Sequence, residues 1–346
     1  MRTSVGYALI AAALFGLSTP LARMLVADVS PVLLAGLLYL GSGVGLSVTR
    51  LIRDRGWRSP GLSRADWPWL LGAIATGGLL GPVALMIGLS RTTGASASLL
   101  LNLEAVFTAL LAWLVFRENA GRRVVAGMAA IVAGGAVLSW NGGESSASPG
   151  TGPLWVAAAC ACWAVDNNLT RRVSSGDPVF IAASKGLIAG SVNTALALAL
   201  GARWPEPATL GAAMAVGLLG YGTSLVLFVL ALRGLGTART GAYFSTAPFL
   251  GAAASFVLLD EPSAPGFWLA GALMGLGVWL HVTEQHSHRH RHGAMEHTHG
   301  HVHDAHHQHT HDFPWDGREP HEHPHRHAPV EHSHRHVPDI HHRHEH

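Results

Sequence analysis

The sequence predicts an all-α integral membrane protein that ends in a hydrophilic tail. Charged residues make up 13% of the 346 residues, about half of the ~25% typical of a soluble domain. Long apolar runs follow one another through most of the chain, and none of the 24 histidines occurs before His281. The chain therefore divides into a part suited to lipid and a part suited to water.

Ten segments of the chain approach the ~20 mostly apolar residues that a membrane-spanning helix requires. They are 5–26, 31–50, 68–90, 93–116, 123–140, 153–171, 178–201, 208–232, 237–259 and 265–283. No soluble core accounts for ten nearly uncharged runs in succession, so we predict ten transmembrane helices. The first run lacks a convincing cleavage site, which favours a retained span over a signal peptide.

The distribution of arginine predicts how the spans are oriented, because cytoplasmic loops carry an excess of Lys and Arg. If the N-terminus is cytoplasmic, the inner loops hold thirteen arginines and the outer loops hold only Arg91 and Arg203. An even number of spans then returns the chain to the same side. We expect both termini to lie in the cytoplasm.

A weak internal repeat relates the two halves of the apolar region. Residues 102–138 align without a gap on residues 245–281, at an offset of 143 residues. The identical pairs are Ala109 with Ala252, Glu118 with Glu261, Ala129 with Ala272, and Gly134 with Gly277. Five spans per copy is an odd number, so the second copy is predicted to be inverted relative to the first, a common plan of secondary transporters.

These observations divide the chain into four parts. We predict a first repeat over residues 1–140, an extracytoplasmic linker over 141–152, a second repeat over 153–283, and a disordered tail over 284–346. The linker is rich in Gly and Ser, as expected of a boundary between repeats.

Two stretches carry a family resemblance. GASASLLLNLEAVFTALLAWLVFRE in the first half and GTARTGAYFSTAPFLGAAASFVLLDE in the second resemble the EamA-type transporters of the drug/metabolite transporter superfamily. The resemblance covers residues 5–281 and implies two inverted five-helix bundles in the inner (plasma) membrane that export or exchange small metabolites. The family often has proline where the second half has Pro248, which predicts a helix bend there, and the first half has Ala105 instead.

Polar side chains inside the predicted spans are the candidates for a transport site, because a charge in the membrane interior costs ~2.5–3.5 kcal/mol on insertion scales. The candidates are Asn102, Glu104, Asp166, Asn167, Asn168 and Lys185. One interpretation is that Glu104 or Asp166 contacts cargo or a coupling proton. The alternative is an internal ion pair, for instance between Glu104 and Lys185, that only stabilises the bundle.

Other candidate residues have simpler interpretations. Cys162 and Asp166 lie on one helical face and could supply half of a metal site, although a small buried cysteine more often packs as a core residue. Glu118 and Glu261 occupy equivalent hinges, where we expect each to cap the following helix or fix the turn.

The sequence contains no hydrolase elbow, P-loop or Gly-rich dinucleotide loop. We therefore expect no enzymatic activity and no required cofactor, with transport energy drawn from an ion or substrate gradient. The expected partners are the lipid bilayer and a small-molecule or metal-ion cargo. No nucleic-acid partner is expected, and a homodimer is left open.

The tail is the second unusual feature. Residues 286–346 contain 23 histidines in 61 positions, mostly in HxH spacing. Neutral imidazole binds Zn, Ni and Co, and it predominates above its free pKa of ~6.5. We predict weak, exchangeable metal binding, with candidate ligands His301, His303, His306, His307, His309 and His311. The alternative is a solvated low-complexity segment without bound metal.

Three functional classes follow. We predict a secondary transporter that exports a small solute and carries a metal-binding tail that senses or buffers metal. A divalent Ni, Co or Zn exporter with the tail as ion collector is the second class, and a membrane metal sensor that transports nothing is the third.

Overall fold

The computed structural model describes residues 2–56, 58–116, 122–141, 151–173, 176–235 and 237–283, together with four short strands between residues 286 and 336. The chain forms two compact units, Met1–Glu284 and Gln285–His346. The predicted linker, residues 141–152, lies mostly outside the described residues.

The described residues of the first unit form helices joined by turns and loops. The helices of its first half are α1 (Arg2–Leu25), α2 (Pro31–Asp54), α3 (Trp67–Ala73), α4 (Gly81–Leu89), α5 (Gly94–Leu100), α6 (Leu103–Phe116) and α7 (Arg122–Asn141). Those of its second half are α8 (Thr151–Arg172), α9 (Pro178–Ala199), α10 (Pro207–Val216), α11 (Ser224–Leu235), α12 (Thr237–Phe244), α13 (Ala247–Leu259) and α14 (Pro265–Val282). Several begin with proline, whose fixed φ and missing N–H suit the first turn of a helix.

We call each predicted span a rod, whether it consists of one helix or of two consecutive helices. Two rods in each half are interrupted, and the interruptions lie at corresponding places. A π-helical segment at Ile74–Leu80 joins α3 to α4, and a second at Gly217–Thr223, 143 residues later, joins α10 to α11. Short turns at residues 101–102 and 245–246 separate α5 from α6 and α12 from α13. Both halves thus have the same succession of continuous, π-interrupted and broken rods.

Polar side chains satisfy the backbone at both breaks. Asn102 donates from Nδ2 to the carbonyl of Leu99 at 2.8 Å, and Thr246 donates from Oγ1 to the carbonyl of Tyr243 at 2.7 Å. The break in the first half forms although Ala105 replaces the proline, and at each break the side chain adds a second hydrogen bond to a carbonyl that already accepts from the backbone N–H of the same residue.

Eight helical segments in the described part of the chain are long and apolar enough to cross a membrane. Some of them combine consecutive helices, as Arg64–Leu89 combines α3, the first π-helical segment and α4. The other two predicted spans are α8 and α14. The last seven residues of α8 include Asp166 and two arginines, and the apolar part of α14, Pro265–Leu280, is shorter than the rest. Large apolar side chains such as Leu114, Trp140 and Val257 face outward, as expected of a surface in contact with lipid.

Helices from the two halves pack against each other in a paired pattern. α2 packs on α9 and α7 on α14, while α1 contacts α11 and α13 and α8 contacts α4 and α6. The pattern is symmetric, since α1 contacts two helices of the second half and its counterpart α8 contacts the corresponding two helices of the first half. The close contact of α2 with α9 depends on glycine, since a Cβ on Gly43 or Gly190 would overlap the opposite backbone.

The second unit contains two antiparallel ladders. Strand β1 (His286–His292) pairs with β4 (Val330–His336), and β2 (Met295–His301) pairs with β3 (His321–His327). Alternation of histidine with other residues has the two-residue period of a strand.

Candidate functional site

A buried ion pair joins α8 to α9. Lys185 Nζ donates to both carboxylate oxygens of Asp166, at 2.6 Å each, and the two residues are only 8% and 7% exposed. Thr170, one turn after Asp166, donates to the same carboxylate at 2.8 Å. An internal ion pair was the alternative interpretation of these charges, and one is present here with Asp166 rather than Glu104 as the partner of Lys185.

The first π-helical segment lies against this pair. A Cβ on Gly77 would overlap the carboxylate of Asp166, so only glycine leaves room for that side chain. The carbonyl of Gly77 accepts hydrogen bonds from Tyr39 Oη at 2.8 Å and from Trp163 Nε1 at 3.0 Å. Side-chain donors from two other rods thus satisfy the backbone where the helix widens.

Glu104 is held by an amide rather than by a cation. Asn167 donates from Nδ2 to Glu104 Oε1 at 2.7 Å, and Asn167 is exposed while Glu104 is half-buried. Within the described bundle, no Lys, Arg or His forms an ion pair with Glu104. This carboxylate consequently remains available to a positively charged group.

Aromatic side chains from both halves meet beside these polar groups. We call Phe15, Tyr39, Trp163, Tyr221 and Phe244 the ring cluster. The ring of Phe15 lies 6.5 Å from that of Trp163, 6.1 Å from that of Tyr221 and 5.5 Å from that of Phe244, and Tyr39 lies 5.7 Å from Tyr221. The ring cluster therefore lies between the two halves.

The helix α8 connects the ring cluster to the carboxylates. Trp163 and Asn167 are four residues apart, so they share one face of the helix. Asp166 lies immediately before Asn167 and contacts Gly77, which in turn binds Trp163 and Tyr39. Four of the predicted residues, Glu104, Asp166, Asn167 and Lys185, thus lie in one region of the bundle.

The other predicted residues contribute to local structure. Asn102 bonds its own helix at the break, and Asn168 donates to the carbonyl of Ala164 one turn earlier at 2.8 Å.

Cys160 is buried and Cys162 partly buried, and both are free thiols. No group of three or more His, Cys, Asp or Glu residues lies together in the described part of the chain. His303 to His311 lie outside the described residues.

Glu261 caps a helix of the opposite half. Its carboxylate accepts hydrogen bonds from the N–H of Gly94 at 2.6 Å and of Ala95 at 2.8 Å, at the start of α5. Of the two roles expected of Glu261, to cap the following helix or to fix the turn, the first is not seen, since α14 has no side-chain cap and the carboxylate binds the start of α5 instead. The equivalent Glu118 lies outside the described residues.

A second charged network lies at the end of α2. Arg50 and Arg53 bond Asp177 at 2.9 and 2.6 Å, and Asp177 also accepts from the N–H of Val179 at the start of α9. Burial would raise the pKa of Asp177, but these hydrogen bonds hold it below its usual value. Arg50 and Arg53 are two of the thirteen arginines that predict the orientation of the spans, and Asp177, directly before Pro178, is itself a helix-start signal.

The ring cluster and the π-helical segments were not predicted. One signal was available, since Gly77 and Gly220 are 143 residues apart and so match the repeat. A Cβ on Gly220 would overlap Ser18 of α1, as one on Gly77 would overlap Asp166 of α8. Corresponding contacts thus carry a hydroxyl in one half and a charge in the other.

Duplicated rods, interruptions at matching positions and a polar site between the halves define a polytopic transporter architecture. Comparison with known families agrees, since the EamA-like transporter family model matches twice, over residues 2–140 and 150–283. The chain belongs to the EamA-like transporter family.

Similar proteins extend this result. An "uncharacterized transporter" of Methanothermobacter thermautotrophicus is 29% identical over 297 residues, covering 81% of this chain and 87% of the relative. A "probable 4-amino-4-deoxy-L-arabinose-phosphoundecaprenol flippase subunit ArnE" of Pseudomonas aeruginosa is 40% identical over 111 residues, covering 31% of this chain and 92% of the relative. A protein of known crystal structure shares the fold, with a TM-score of 0.61 and 23% identity over 80% of this chain and 95% of its own.

Proposed function

We propose that the chain is a secondary active transporter that exports a small solute through a path between its two halves. The observation that carries the proposal is the convergence of Glu104, Asn167 and the Asp166–Lys185 pair beside rings contributed by both halves. Charged groups in a membrane interior are expensive and are kept mainly where they act on solutes or ions. Membership in a transporter family supports the same conclusion.

The proposed architecture has ten spans in two inverted repeats with both termini in the cytoplasm. Matching π-helical segments, matching breaks and the paired packing of rods support the duplication. Five rods per half then invert the second copy, which allows the halves to rock about a central site and expose it to each side in turn.

Flux from proteoliposomes tests the transport function. We expect Glu104→Gln to reduce efflux of a solute that the wild type moves, since it removes the charge but keeps the shape of the side chain. Asp166→Asn alone would leave Lys185 unpaired, so the Asp166→Asn, Lys185→Met double variant is the better test of that pair. Glu206→Gln, in an exposed loop, is the matched control. Wild-type flux in both site variants would show that these residues are structural.

We further propose that the tail binds Zn, Ni or Co. The register of the ladders supports this, because His286, His288 and His290 lie opposite His336, His334 and His332. His297, His299 and His301 lie opposite His325, His323 and His321 in the second ladder. Directly opposite residues in an antiparallel pair are ~4.5–5.5 Å apart between Cβ atoms, a spacing over which two imidazoles can share one ion.

Counting bound metal on the full chain tests this arrangement. Replacing one cross-strand pair, His288→Ala with His334→Ala, should remove one Ni ion, because both residues belong to one site. Replacing one residue in each ladder, His288→Ala with His325→Ala, should remove two. Equal losses in the two variants would contradict paired sites, and no difference from a chain ending at residue 284 would contradict metal binding by the tail.

In the first alternative the cargo is a divalent ion, and the tail collects it. In the second alternative the protein is a membrane metal sensor that transports nothing. The candidate site gives these alternatives less support, since its two carboxylates are Asp166, already paired with Lys185, and Glu104, bound to Asn167. Loading the same proteoliposomes with Ni, Co or Zn distinguishes the three, because a metal exporter moves the ion and a sensor moves no solute.

A further inference from the structure

The charges of the site are unequally compensated. Lys185 contacts both oxygens of Asp166, so that pair is close to neutral. Glu104 accepts a hydrogen bond from the amide of Asn167, and among the described residues no cation lies within ion-pair distance of it. A carboxylate inside a membrane protein is stabilised by an opposite charge. The site therefore lacks one positive charge, which a bound solute can supply.

The ring cluster provides a second feature suited to a cation. An ammonium group is attracted to the faces of Trp, Tyr and Phe rings within about 6 Å of their centroids, and clusters of rings bind organic ammonium ions in this way. The ring centroid of Phe15 lies 6.1 Å from that of Tyr221 and 5.5 Å from that of Phe244. Trp163 connects them to Glu104, because it lies one turn from Asn167 on the same face of α8.

The repeat shows that this arrangement belongs to one half only. The residue 143 positions after Glu104 is Ala247, which is fully buried and carries no charge. Gly220, which is 143 residues after Gly77, lies against Ser18, whereas Gly77 lies against Asp166. In the described part of the candidate site, Glu104 thus has no charged counterpart in the other half, which suits one singly charged cargo rather than a symmetric or divalent ligand.

We propose that the cargo is an organic amine, whose ammonium group binds Glu104 and whose apolar body packs on the ring cluster. This rests on the proposed transport function and adds the substrate class. Glu104 supplies the charge, Asn167 orients its carboxylate, and the rings favour an aromatic or other apolar body. The Asp166–Lys185 pair positions α8 and does not itself bind the ammonium.

Calorimetric binding to the full chain in detergent tests the substrate class with three probes that share one ring. Phenyltrimethylammonium is cationic, benzyl alcohol is neutral and benzenesulfonate is anionic. We expect the cation to bind at least ~10-fold more tightly than the other two, which corresponds to ~1.4 kcal/mol. Tighter binding of the alcohol or the sulfonate would overturn the inference.

Variants assign that preference to the two features. Glu104→Gln and Phe15→Leu should each weaken binding of the cation ~10-fold or more, whereas Phe256→Leu, in a separate ring group with Phe267 and Trp268, should leave it unchanged. An unchanged affinity in Glu104→Gln would overturn the inference even if the wild type prefers the cation.

Flux separates failure of the inference from failure of the transport function. Proteoliposomes should release phenyltrimethylammonium, which does not cross lipid unaided, faster than protein-free vesicles do. Release of anionic or neutral solutes without release of the cation would refute the amine class and leave transport intact. Release of no solute in a mixed panel of amines, amino acids and metal ions would refute both.

Discussion

Asp166 and Lys185 are tolerated in the bundle because each neutralises the other. Removing one partner of a buried ion pair leaves an uncompensated charge and costs about 3–5 kcal/mol, whereas replacing both with neutral groups is often close to neutral. The sequence identified both residues as candidates. It could not show that they pair, because the contact depends on how α8 packs against α9.

This asymmetry gives a prediction for stability. Lys185→Met should lower the unfolding temperature of the purified protein strongly, while Asp166→Asn combined with Lys185→Met should recover most of the loss. Thermal unfolding in detergent measures both. If the double variant is as unstable as the sum of the single variants, the pair does not act through mutual neutralisation.

Gly77 gives a second prediction at the residue scale. Gly77→Ala places a methyl group against the carboxylate of Asp166, and overpacking of this kind typically costs about 1–3 kcal/mol. Gly211→Ala is the matched control, since Gly211 is also helical but has open space around its Cα. We expect the control to unfold at or slightly above the wild-type temperature. Equal effects of the two changes would show that the contact with Asp166 is unimportant.

At the scale of elements, continuous helices were predictable, and of the interruptions only the bend near Pro248 was expected, from the family resemblance. A run of ~20 apolar residues predicts a span whether the backbone is α- or π-helical inside it, so hydropathy gave no sign of the segments at Ile74–Leu80 and Gly217–Thr223. The break at residue 102 was equally hidden, because it depends on an asparagine side chain and not on proline.

The cap on α5 is testable by hydrogen exchange. Glu261→Gln weakens the acceptors for the N–H groups of Gly94 and Ala95, so these amides should exchange faster, and the unfolding free energy should fall by about 0.5–2 kcal/mol. Glu206→Gln, before α10 and without a capping hydrogen bond, is the control. If exchange at α5 is unaffected, the carboxylate does not hold the start of this helix.

At the scale of the whole molecule, the repeat was the most informative feature of the sequence. An alignment with only four identities predicted a duplication, and the family match over residues 2–140 and 150–283 agrees with it. The site was only partly predictable, because Phe15, Tyr39 and Tyr221 look like ordinary apolar residues until three rods bring them together. Their role depends on packing between halves that are distant in sequence.

Under the proposed transport function, the duplication would let one site serve both faces of the membrane. Equivalent rods meet across the molecule, and the ring cluster draws on both halves. Rocking of one half against the other would open a path to the same residues from either side. A central path between the halves therefore requires that a single position near Glu104 be reachable from both compartments.

Accessibility of Asn167 tests that requirement most directly. Asn167→Cys, in a chain with Cys160→Ala and Cys162→Ala, can be labelled by a membrane-impermeant maleimide added to one side of oriented vesicles at a time. The account predicts labelling from the outside and from the inside, slowed on both sides by a transported solute. Labelling from one side only, or from neither, would contradict a central path between the two halves.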